Sequence, residues 1–74
     1  MKVKELLEYS DFGKEVTVRI YEYNDFLDKY EEICRFHKDS HTIVLIDDNI
    51  LNSNIDCYDI SYSFITTYFN IYLE

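Results

Sequence analysis

The hydrophobic period changes several times along the chain. In residues 2–10, Val3, Leu6 and Leu7 recur at helical spacing with Lys4, Glu5 and Glu8 opposite, which predicts a short helix. Ser10, Asp11 and Gly13 break it and turn the chain. Residues 15–23 then alternate. Val16, Val18 and Ile20, with Glu22 as a candidate fourth, point one way, and Thr17, Arg19, Tyr21 and Tyr23 point the other. Their β-branched and aromatic content predicts a strand.

Asn24 and Asp25 are suited to cap a helix. Phe26, Leu27, Tyr30, Ile33 and Cys34 follow on one helical stripe, with Asp28, Lys29, Glu31, Glu32 and Arg35 mostly opposite. A second helix ending near residues 36–37 is therefore expected. Residues 32–37 also suit a rival reading, as a second strand paired with 15–23. A polar loop, 38–41, leads to Thr-Ile-Val-Leu-Ile at 42–46, a strand apolar on both faces and suited to the middle of a sheet. Asp47-Asp48-Asn49 ends it, and residues 50–54 read as one helical turn or a loop.

Residues 55–64 alternate again, with Tyr58, Ile60, Tyr62 and Phe64 on one face and Cys57, Asp59, Ser61 and Ser63 on the other. A turn at 65–67 precedes a last strand, 68–73, with Phe69, Ile71 and Leu73 inward and Tyr68, Asn70 and Tyr72 outward. The order α-β-α-β-β-β predicts a single α+β domain over residues 1–74. It would hold an antiparallel or mixed sheet of about four strands with two short helices on one face. The other face would be solvated and would carry tyrosines, serines and aspartates.

Composition adds a partner class. The chain is 47% hydrophobic and 18% aromatic, enough for a compact core and unlike a disordered segment. Its net charge is −8, and residues 39–74, with no Lys or Arg, carry −6 of it. Direct nucleic-acid binding is disfavoured, because that affinity comes from basic side chains on phosphates. A protein partner with a basic groove is favoured. The opening MKVKELLEYSDF lacks the apolar core of a signal peptide, and no apolar run is long enough for a membrane helix. A soluble, cytoplasmic protein without membrane contact is expected.

Catalytic and metal chemistry find little footing. Cys34, His37 and His41 have zinc-ligand chemistry, but only three such residues cluster, so no metal or other cofactor is expected. The stretch 47–59 lacks a calcium-loop pattern, and its aspartates have no base nearby to tune them as acid–base catalysts. No nucleophile motif stands out, so no catalytic residue is assigned and a non-enzyme is expected. The candidate partner-binding set is Asp47, Asp48, Asp56, Asp59 and Glu74 for charge, with Tyr58, Tyr62, Tyr68 and Tyr72 for contact area. The alternative is a self-associating structural or regulatory domain, a homodimer joined through exposed strand edges.

The opening MKVKELLEYSDF, the following EVTVRIYEYND and the tail Phe69-Asn70-Ile71-Tyr72-Leu73 resemble small acidic proteins of Firmicutes phages and mobile elements. The likeness covers about the first 24 residues and the tail. It departs at residues 26–36, which read as a helix where that pattern has a second strand. The resemblance implies a host-directed inhibitor in the host cytoplasm. Such proteins include CRISPR inhibitors that act as nucleic-acid mimics, so it implies a CRISPR effector as the partner.

Overall fold

A computed structural model describes residues 1–9, 16–37 and 46–74. The elements are α1 (Val3–Tyr9), β1 (Val16–Asn24), β2 (Lys29–His37), α2 (Asp48–Leu51), β3 (Ile55–Tyr62) and β4 (Thr67–Leu73). The strands form one sheet in the order β2-β1-β4-β3. β1 pairs antiparallel with β2 and parallel with β4, and β3 pairs antiparallel with β4. The fold is α+β with a mixed four-stranded sheet, as the sequence predicts.

The expected second helix is a strand. Asn24 does act as a cap, but of a tight turn: its side chain accepts from the backbone N–H groups of Phe26 (2.9 Å) and Leu27 (3.2 Å). Asp28 then takes a positive φ of 52°, a conformation Asp tolerates better than most residues, and the chain returns as β2. The rival hairpin reading holds, with Thr17 through Asn24 paired to His37 through Lys29. The turns of residues 10–15, the loop at 38–41 and residues 42–45 of the strand expected at 42–46 lie outside the described residues.

The core lies on one face of the sheet. Val18 and Ile20 of β1 and Ile71 of β4 are fully buried, as are Val3 and Leu7 of α1. Leu6, Phe36, Ile46, Leu51, Phe69 and Leu73 complete this layer. Each fully buried aliphatic side chain contributes about 1.5–3 kcal/mol. The start of α1 is held to the sheet by its backbone. Val3 N–H donates to Ser53 O (3.0 Å), Ile55 N–H donates to Met1 O (2.8 Å), and the Lys2 N–H reaches the Glu5 carboxylate (3.2 Å). α2 is a single turn that starts two residues before the 50–54 expected, because the Asp47 carboxylate caps it, accepting from the Asn49 N–H at 2.7 Å. Among the described residues no helix is long and apolar enough to cross a membrane.

Candidate partner-binding surface

The register divides the side chains into two faces. Tyr21 lies beside Tyr72 across the parallel β1–β4 pair, and Tyr23 lies opposite Tyr30 across the hairpin. These rings form a continuous chain on the face away from the helices. Tyr21 stacks on Tyr72 at 5.1 Å between centroids, Tyr72 meets Tyr30 edge-on at 5.0 Å, and Tyr30 meets Tyr23 at 5.3 Å. Carboxylates sit at the rim. Tyr23 donates its hydroxyl proton to Asp28, and Tyr72 donates to Asp59 at 3.2 Å. Asp56 lies close to Tyr30. It is the unpaired residue of a bulge in β3, between Ile55 and Cys57, and a bulge re-aims its side chain.

Three of these phenols are raised above their ordinary pKa. The hydrogen bond to Asp28 raises Tyr23 above its ordinary pKa, with smaller contributions from desolvation and Asp25. Tyr30 is raised by desolvation first and then by Asp56, and Tyr72 by burial first and then by Asp59. At neutral pH the rings present neutral aromatic area.

The two arginines of this face are used internally. Arg19 lies 3.9 Å over the Tyr68 ring and donates from Nε to Asn70 Oδ1 (2.8 Å) and from Nη2 to Ser61 Oγ (3.1 Å). Asn70, 3% exposed, donates in turn to Asp59 (2.7 Å) and Ser61 (3.0 Å). Arg35 pairs with Glu32 at 2.8 Å.

The opposite holds at the end of the sheet where β1 turns into β2. Glu22 and Glu31 are directly opposed across the antiparallel pair. Among the described residues neither carboxylate has a hydrogen-bonded or ion-paired partner. Like charges directly opposite are destabilising in a sheet. Glu22, Asp25 and Glu31, with Tyr23, Asn24, Phe26 and Ile33, line an open cleft. The register puts the start of β3 and the end of β4 at the same end, so Asp56 and Glu74 lie at this end too, with Asp56 on the open face and Glu22 and Glu31 on the helix-bearing one.

The nine residues proposed from sequence are dispersed. Asp56, Asp59, Tyr68 and Tyr72 share the open face, but Tyr68 and Tyr72 are half-buried because β4 is a central strand. Tyr58 and Tyr62 are exposed on the helix-bearing face, where Tyr58 stacks on Phe69 at 5.3 Å. Asp47 and Asp48 lie at the start of α2, where Asp47 is the cap, and Glu74 is tied through its N–H to Asn54 O at 3.1 Å. The sequence reading missed Glu22, Asp28, Glu31, Tyr21, Tyr23 and Tyr30. The signal was there in the rival hairpin, since closing the strands about Asn24 brings Glu22 and Tyr23 against Glu31 and Tyr30.

Cys34 packs toward the core with Ile20, whereas His37 sits on the open face, its Nδ1 3.3 Å from the Thr17 hydroxyl. The two therefore do not converge, and His41 lies outside the described residues. Burial raises the Cys34 thiol pKa, with a smaller push from Glu32. Cys34 and Cys57 are both free thiols. Among the described residues no three His, Cys, Asp or Glu side chains are placed to hold a metal ion. No family model, curated protein or solved structure matches this chain.

Proposed function

We propose that this chain is a small acidic interaction protein of the phage or mobile-element type. It docks the acidic end of its sheet onto a basic, nucleic-acid-binding surface of a host protein and blocks that surface sterically. A CRISPR effector is the most specific case of such a partner. The observation that carries this reading is the Glu22–Glu31 pair: two carboxylates opposed across a hairpin, at a cost to folding, with no described cation bonded to either. A partner's Lys or Arg side chain supplies the missing counter-charge.

Two further features support the reading. Arg19 and Arg35 are committed to neighbours farther along the ladder, and Lys29 is the one described cation at the turn end, against Glu22, Asp25, Asp28 and Glu31. The tyrosine chain beside Asp28, Asp56 and Asp59 offers aromatic area that packs against guanidinium and ammonium groups.

The test is retention of partners from a host lysate on the immobilised chain, with and without Glu31→Lys. A nucleic-acid-binding protein should be retained at low salt, released at high salt and displaced by added DNA or RNA. The Glu31→Lys chain should retain much less of it. Retention that is indifferent to salt and to the substitution counts against the proposal.

A further inference from the structure

The edge strand β3 differs from the other edge. β2 carries Lys29, Glu31, Glu32 and Arg35, charges of the kind that keep a sheet edge from pairing with another chain. Residues 60–73, from the end of β3 through β4, contain no charged residue. Tyr58, Ile60 and Tyr62 point to the helix-bearing face yet are 56%, 52% and 79% exposed. The β3–β4 turn adds Phe64 and Ile65, both almost wholly exposed. Among the described residues β3 pairs on one side only, with β4.

We infer that this edge is a self-association surface and that its occupant is a second copy of the chain. Net charge is the deciding argument. Two copies carrying −8 each repel, and the part of this edge from Ile60 through the β3–β4 turn brings no charge of its own to the contact, Asp56 and Asp59 lying before it. Pairing about a two-fold axis also allows a register free of like-charge pairs. An antiparallel β3–β3 ladder centred on Ile60 sets Ile60 against its own copy, Tyr58 against the other chain's Tyr62, and Asp59 against Ser61, so no two carboxylates face each other. Centring on Asp59 would oppose Asp59 to itself. Tyr58, Ile60, Tyr62, Phe64 and Ile65 together expose roughly 800 Å² per copy, an upper bound that is comparable with the roughly 800 Å² each partner of a standard interface buries. The resulting dimer joins the two described four-stranded sheets edge to edge and leaves both acidic ends free for the partner proposed above. Its apolar seam responds to salt in the opposite sense to that partner.

Sedimentation over a micromolar concentration series tests this. The chain should pass from its 9.0 kDa mass toward twice that value, and added salt should leave the transition unchanged or move it to lower concentration. Ile60→Lys sets two lysines face to face and should weaken association at least roughly tenfold. Ile33→Lys on the β2 edge should leave it unchanged. Circular dichroism checks that each variant is folded. In a Cys57→Ser background, Ile60→Cys should oxidise to a disulfide-linked dimer, because the residue faces its own copy. A wild-type chain that stays monomeric throughout, a folded Ile60→Lys chain that still dimerises, or an Ile60→Cys chain that fails to cross-link would each overturn the inference.

Discussion

Glu31 faces Glu22 with no described counter-charge, so replacing it should have two effects of opposite sign. Glu31→Lys converts a like-charge pair into an attractive one and should stabilise the fold by about 0.2–1 kcal/mol in denaturant unfolding. The same change should lower partner binding. A substitution that stabilises the fold and weakens function separates a surface kept for a partner from one kept for folding. Asn70 is the contrasting case. It is buried, and it holds Arg19, Asp59 and Ser61 together. Asn70→Ala strands those groups and should cost about 1–3 kcal/mol in the same measurement.

The tyrosines give a pH signature. In the unfolded chain the phenols ionise near pH 10, whereas Tyr23, Tyr30 and Tyr72 are raised in the folded chain. Above about pH 10 the folded state therefore binds more protons than the unfolded state. Their contribution is complete below that pH and is lost as pH rises through the folded values. Tyrosinate absorbance should show late-ionising phenols in the folded chain. Asp28→Asn, which keeps a side chain that tolerates the positive φ, should bring the Tyr23 midpoint down.

The elements were legible wherever the period was clean. β1 alternates without interruption, and β3 and β4 divide into faces as their spacing predicts. β2 was hidden by one residue. Ile33 is the extra residue of a bulge, since Ile20 pairs with Cys34 while Tyr21 pairs with Glu32. The bulge breaks the two-residue alternation and leaves Ile33 and Cys34 adjacent in a spacing that mimics a helical stripe. The Asn24 cap sharpened that impression, because an Asn side chain accepting backbone N–H bonds opens tight turns as readily as helices. The β2 edge carries Lys29, Glu31, Glu32 and Arg35, whereas the β3 edge carries Asp56 and Asp59 and no charge from Ile60 onward, and the Ile60→Lys and Ile33→Lys pair compares the two edges directly.

At the level of the whole molecule, strand order decides which residues can act together, and strand order is absent from hydrophobic spacing. Placing β4 between β1 and β3 buries Asn70 and half-buries Tyr68 and Tyr72, which the sequence reading had pointing outward. It also brings the β1–β2 turn, the start of β3 and the end of β4 to one end, so carboxylates distant in sequence collect there. The acidic second half that dominates the composition is therefore only part of the site. Glu22, Asp25, Asp28 and Glu31, from the half with the smaller net charge, supply the rest. The central claim is that this acidic end binds a basic surface. The most direct test compares host-lysate proteins held by the wild-type and Glu31→Lys chains across a salt series. The account expects a nucleic-acid-binding protein held by the wild type at low salt, lost at high salt, and largely absent from a variant at least as stably folded. Equal retention by both chains, or retention flat in salt, would contradict it.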